Sequence, residues 1–138
     1  MNHRTVLDAS VAVKWFTREQ HRAQAIKLRE AHIAGETTLT APILLVYEVT
    51  NALRHNPSLT PDDLEEAVQA LYTIAIEYIP PTQETMTQAA TTAKHLNITV
   101  HDACYLILSR QLNTPLVTAD TRLTEKAPEH NVIRLDTL

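Results

Sequence analysis

The feature that most restricts this chain is an alternation. Five short apolar or β-branched runs, Thr5–Asp8, Thr38–Ala41, Ile76–Ile79, Pro115–Thr118 and Val132–Leu135, read as strands, and helix-like segments separate them. Strands that alternate with helices build a parallel sheet covered on both faces. The intervening signals agree. Ser10–Phe16 reads as a short helix, and Gln20–Ala34 as an exposed amphipathic helix with Gly35 as its C-cap. Pro42 suits the first turn of a helix that runs to about Arg54, where Asn56-Pro57 breaks it. Thr60-Pro61-Asp62-Asp63 then offers a hydroxyl cap, a proline at the first position and acids in the first turn, for a helix to about Ile74. Pro80-Pro81 turns the chain; Thr82–Leu96, His101–Leu112 and the short Thr121–Ala127 complete the helices. With no internal repeat, low-complexity tract or linker, residues 1–138 are expected to form one α/β domain.

Composition narrows the chemistry. The chain has 138 residues, 44% of them hydrophobic and 20% charged, enough for a real core and no case for disorder. Its one glycine, Gly35, cannot build a P-loop or a Rossmann fingerprint, so nucleotide-cofactor enzymes of those two kinds are excluded. Its one cysteine, Cys104, excludes an internal disulfide. No apolar run approaches the roughly 20 residues needed to span a bilayer. Met1-Asn2-His3-Arg4-Thr5 leads into the first strand with no apolar signal region. A cytoplasmic protein is therefore expected. The net charge of -4 argues against coating nucleic acid by bulk electrostatics; any phosphate contact must be local, and the acids must work with cations.

In a parallel α/β sheet, ligands bind where strands end and helices begin. Asp8 closes the first strand, Asp120 lies just past the fourth, and Asp102 sits in the first turn of the apolar helix. Topology alone puts these three on one edge. Glu48 lies six residues past Pro42, roughly 9 Å along that helix at about 1.5 Å per residue, among mostly apolar neighbours. Burying its charge is costly unless something satisfies it, and a cation in the same cleft would do so. Clustered carboxylates raise one another's pKa, and all-oxygen ligands suit Mg²⁺ or Mn²⁺. Such a site activates water against a phosphodiester. The seven histidines are scattered without ligand spacing, so nothing supports zinc.

Taken in order, these residues resemble the PIN-domain ribonucleases, and among them the VapC-type toxins of toxin–antitoxin pairs. The matching segments are Val6-Leu7-Asp8-Ala9-Ser10 with Val13-Lys14-Trp15-Phe16, and Tyr47-Glu48-Val49 with Asn51-Ala52-Leu53. They continue with His101-Asp102-Ala103 followed by Tyr105-Leu106, and Thr118-Ala119-Asp120 followed by Arg122-Leu123. The resemblance implies a five-stranded parallel sheet of order 3-2-1-4-5. It also implies Mg²⁺ or Mn²⁺ held by Asp8, Glu48, Asp102 and Asp120, with Ser10 and Thr118 behind the ligands or on metal-bound water. A metal-activated water would cleave RNA, leaving 5′-phosphate and 3′-hydroxyl ends. The partners implied are a second copy of the chain and a VapB-type antitoxin whose tail fills the active-site groove.

Plainer roles stand beside these. Ser10, Asp102 and Asp120 each suit a helix N-cap, and for Ser10 alone capping is the better reading. For Glu48 the plainer role is a core ion pair with Arg54 or another base. Trp15 and Phe16 suit core or dimer-interface anchors, and Cys104 a small buried hydrophobe. Lys14 and Arg122, with Arg18, Arg22, Arg54 and Arg110, are candidate phosphate contacts, though a solvated surface role suits each taken singly. Rival functions fit less well. A phosphoacceptor receiver wants further acids by the first strand and a late lysine, yet residues 2–7 hold no acid and the fifth strand carries Arg134. A haloacid-dehalogenase-like phosphatase wants Asp-x-Asp where this chain has Asp8-Ala9-Ser10. A PIN nuclease of RNA maturation and a non-catalytic PIN-like binding module remain open alternatives.

Overall fold

A computed structural model describes residues 3–138. The expectations about Met1 and Asn2 lie outside the described residues. Five strands, β1 (Arg4–Leu7), β2 (Thr38–Pro42), β3 (Glu77–Ile79), β4 (Leu116–Thr118) and β5 (Val132–Arg134), form one sheet in the order β3-β2-β1-β4-β5. Every neighbouring pair is parallel. Seven helices are found among the described residues: α1 (Ala9–Ala12), α2 (Arg22–Ile33), α3 (Leu44–Arg54), α4 (Pro61–Thr73), α5 (Gln83–Leu96), α6 (Val100–Gln111) and α7 (Thr121–Lys126). The expected α/β architecture and the 3-2-1-4-5 order are both present.

Successive strand side chains point to opposite faces. Val6 and Leu7 of the central β1 are both fully buried, so both faces of the sheet are covered. Leu39, Thr40 and Ala41 of β2 and Leu116 and Thr118 of β4 are equally inaccessible. Helix α6 lies against β1, β2 and β4 and buries Ala103 and the whole run Tyr105–Ser109. Each leucine or isoleucine so buried contributes about 1.5–3 kcal/mol. Helix α5 packs on the outside of α6 through Ile107 and through Ala89, Ala93 and Ala103, small residues that let the two backbones approach.

Local signals set several boundaries. Thr60 and Asp63 form a reciprocal capping box at the start of α4, at 3.2 and 2.9 Å. Gly35, at φ 79°, ends α2: its N–H donates to His32 O and that of Glu36 to Ala31 O, which closes the orphan carbonyls.

Other boundaries differ from the sequence reading. The expected helix Ser10–Phe16 is one α turn followed by a 3-10 turn, Val13–Trp15. Tertiary anchoring explains the tightening, since Trp15 is buried and its indole N–H donates to Ala25 O at 2.8 Å. Helix α2 starts at Arg22, not Gln20, because His21 turns left-handed at φ 66°. Pro42 is the last residue of β2, paired with Ile79, and not in a helical first turn; α3 begins at Leu44. Strand β5 ends at Arg134, where Leu135–Thr137 begin a 3-10 turn that buries Leu135.

Candidate active site

Strand β1 stops at Leu7, and Asp8 is the N-cap of α1. Its side chain is nevertheless turned inward, with 5% of the residue exposed. Oδ1 accepts from the Ser10 N–H at 3.1 Å and from the Ser10 hydroxyl at 2.5 Å. Oδ2 accepts from the Thr118 hydroxyl at 2.5 Å. The web continues outward: Ser10 Oγ accepts from the Ala119 N–H at 2.9 Å, and Thr118 Oγ1 from the Asp120 N–H at 3.0 Å. Thus the ends of the adjacent strands β1 and β4 are bolted together around one carboxylate. Ser10 is not a helix cap, as the residue alone suggested; it holds the cap residue, Asp8.

Burial pushes the Asp8 carboxyl up to about 6. The Ser10 and Thr118 hydrogen bonds oppose that rise, and the charges of Asp102 and Asp120 add to it. Asp102 is also raised, first by burial and then by Asp120, against the hydrogen bond in which Thr99 takes part. These mutual influences make Asp8, Asp102 and Asp120 one electrostatic cluster.

Helices α6 and α7 place the other two members of that cluster. Asp102 stands in the first turn of α6 but does not cap it; Thr99 does, its hydroxyl accepting from the Asp102 N–H at 3.0 Å. Asp120 does cap α7, accepting from the Arg122 N–H at 3.0 Å. Capping fixes the aspartate backbone without using all its lone pairs, so the plain role and a ligand role coexist. Asp102 and Asp120 line a cleft of about 290 Å³ together with Thr99, Arg122 and Lys126. Arg122 Nε lies 3.6 Å from Asp120 Oδ1 on a mostly exposed side chain, and Lys126 Nζ donates to Asn97 O at 2.9 Å. Lys14 is buried, 3.6 Å from Glu19 Oε1, and lines a second cleft of about 310 Å³ with His21, Thr118, Thr121 and Arg134.

Glu48 sits one turn into α3, half-buried. It makes no ion pair with Arg54, which is exposed at the helix end beside His55. Instead Glu48 Oε1 accepts from the Tyr105 hydroxyl of α6 at 2.6 Å. Burial, the Glu48 bond and the charges of Glu48, Asp8 and Asp102 all raise the Tyr105 phenol. Tyr105 is thus hydrogen-bonded to Glu48 and feels the charges of Asp8 and Asp102 as well. Sequence reading gave Tyr105 no role, although a tyrosine inside an apolar helix needs a partner for its hydroxyl, and that was the available signal. Thr99 was likewise missed as the cap that presents Asp102.

No three His, Cys, Asp or Glu side chains among the described residues already enclose one point. The donor chemistry still fits a hard divalent cation. The four acids offer only oxygen, and Asp8 keeps a lone pair on Oδ2 after its three hydrogen bonds. A cation would relieve the burial and repulsion that raise Asp8 and Asp102.

Beside Glu48 opens an apolar groove of about 390 Å³, lined by Ile43, Tyr47, Pro80, Met86, Val100 and Cys104. Tyr47 on its rim is 72% exposed. No helix among the described residues is long and apolar enough to cross a membrane.

A parallel sheet of this order, with acids gathered at the carboxyl ends of its central strands, defines a class of α/β domain. The PIN domain family model matches residues 5–128, and the chain belongs to that family. Solved structures share the fold. One is PAE2754 from Pyrobaculum aerophilum, 21% identical, with a TM-score of 0.69 over 99% of this chain and 94% of that one. Another is VapBC2 from Rickettsia felis bound to a DNA fragment from their promoter, 12% identical, TM-score 0.71, covering 95% of this chain and 98% of the other. VapBC-5 from Mycobacterium tuberculosis, a member of the VapBC family of toxin–antitoxin systems, is 15% identical with a TM-score of 0.60, over 95% and 96% of the two chains. No curated protein matches the chain by sequence.

Proposed function

We propose that this chain is a metal-dependent endoribonuclease and the toxin of a VapBC-type pair. The observation that carries the reading is the electrostatic cluster of Asp8, Asp102 and Asp120 at the carboxyl ends of β1 and β4. Its family membership and its likeness to VapBC toxin–antitoxin structures point the same way.

In this reading Asp8, Glu48, Asp102 and Asp120 hold Mg²⁺ or Mn²⁺. The ion supplies an activated water and charge neutralisation at a phosphodiester. Ser10 and Thr118 fix the Asp8 carboxylate and leave one Oδ2 lone pair for the ion. Arg122 and Lys126, on the wall of the same cleft, offset phosphate charge locally in a chain of net charge -4. Lys14, in the second cleft that Thr118 also lines, is a further phosphate contact in this reading, once released from Glu19. The partners in this reading are a second copy of the chain and a VapB-type antitoxin, and the apolar groove beside Glu48 gives a protein partner a surface to bury.

Purified protein freed of any partner would be incubated with a mixed RNA panel and Mg²⁺ or Mn²⁺, beside Asp8→Asn and EDTA controls. Cleavage that disappears in both controls is the expected result. Cleavage that survives Asp8→Asn would sink the carboxylate mechanism. A chain that binds a co-expressed antitoxin but cleaves nothing in the panel and takes up no Mn²⁺ would be a binding module only.

A further inference from the structure

The geometry points to Tyr105 as the residue that positions Glu48, locking the fourth carboxylate onto the helix face that carries the third. This rests on the reading of Glu48 as a member of the acid site.

Side-chain freedom is what a partner for Glu48 must limit. A glutamate has three rotatable side-chain bonds, and ordering such a chain costs about 1.5–2 kcal/mol. On α3, Glu48 is only half-buried and is flanked by exposed Tyr47. Nothing on its own helix holds it: no neighbour on α3 hydrogen-bonds its carboxylate. Tyr105 is the opposite case. It is 1% exposed, has two side-chain torsions, and its ring is wedged in the core. Asp102 and Tyr105 are three apart on α6, so they share one face of that helix. The phenol therefore reaches Glu48 from the face that presents Asp102. With Oε1 engaged at 2.6 Å, Glu48 Oε2 has no hydrogen-bond partner among the described residues and is free to take an ion. Thr118 and Ser10 do the same service for Asp8; without Tyr105, Glu48 would have no hydrogen-bond partner among the described residues.

The test is a double-mutant cycle on the full chain: wild type, Tyr105→Phe, Glu48→Gln and the double variant, with Mn²⁺ affinity read from the free-ion EPR signal. Tyr105→Phe keeps the ring packing and removes only the donor. It should weaken Mn²⁺ binding roughly tenfold or more, the usual cost of removing a group that orients a ligand. Glu48→Gln should weaken it at least as much, and the double variant should be no weaker than Glu48→Gln alone. In RNA cleavage, kcat should fall with KM unchanged. Losses that add in the double variant, or Mn²⁺ affinity untouched by Tyr105→Phe while Glu48→Gln weakens it, would overturn the assignment and leave the proposed nuclease standing. Mn²⁺ binding indifferent to Glu48→Gln would remove Glu48 from the metal site, and the inference with it. Should Tyr105→Phe fail to fold, the ring ¹³Cζ resonance of Tyr105 serves in its place. Mg²⁺ should move that resonance in the wild type and not in Glu48→Gln; a resonance that Mg²⁺ leaves still refutes the coupling.

Discussion

Replacing Asp8 with asparagine should make the metal-free protein more stable while abolishing its activity. The folded-state carboxyl sits at about 6 against an ordinary 3.8. At about 1.4 kcal/mol for each pH unit between those values, keeping Asp8 ionised in the folded chain costs about 3 kcal/mol near neutral pH. The sign follows from proton binding. Between the two values the folded state holds more protons than the unfolded state, so stability falls as pH rises through that window and is lowest above it. Asparagine carries no charge to desolvate, and its amide oxygen still accepts from the Ser10 N–H and hydroxyl. Its amide nitrogen forces the Thr118 hydroxyl to reverse its role, a mismatch that costs about 1 kcal/mol. The net gain near pH 7.5 is then about 2 kcal/mol, or a rise in Tm of roughly 6 °C for a chain of this size. The assay is thermal unfolding by circular dichroism in EDTA for both proteins, at pH values from 4.5 to 7.5. Most of the gap should close toward pH 4.5, where folded wild-type Asp8 is already protonated. Excess Mg²⁺ should raise the wild-type Tm and leave that of Asp8→Asn nearly unmoved. An asparagine variant that melts below wild type at pH 7.5, or a gap indifferent to pH, would refute the account of Asp8 as a buried charge awaiting a cation.

Three shorter predictions test the surrounding parts. Asp120→Asn keeps an N-cap for α7 and should leave urea stability within about 0.5 kcal/mol, while Asp120→Ala should lose about 1 kcal/mol; both should lose RNA cleavage if Asp120 is a metal ligand. Thr118→Val removes the only donor to Asp8 Oδ2 among the described residues and should destabilise the fold by about 1–3 kcal/mol in urea titrations near neutral pH, with less loss at pH 4.5. Thr99→Ala uncaps α6 and should cost about 1 kcal/mol. By loosening the turn that presents Asp102, it should also weaken Mn²⁺ binding measured by EPR.

What the sequence by itself determined is whatever neighbouring residues decide. The Thr60–Asp63 capping box, the Gly35 turn, the strand–helix alternation and hence the parallel sheet all rest on contacts within a few positions. Asp8 and Asp120 shared an edge as soon as the alternation was recognised, because every strand of a parallel sheet ends on the same side; Asp102 follows helix α5 and not a strand, so its place depended on how α6 packs. The 3-2-1-4-5 order came from family resemblance, since periodicity does not say which strands lie side by side. Tertiary structure alone decided the rest. The Asp8–Thr118 bond joins residues 110 apart and Tyr105–Glu48 residues 57 apart, and no local pattern encodes either. Pro42 joined a strand because Ile79 lay beside it, and Trp15 tightened its helix because Ala25 offered a carbonyl. Even the raised carboxyl of Asp8 is a product of assembly: an aspartate is ordinary in the unfolded chain and becomes a poised anion only when two strand ends close over it and exclude water.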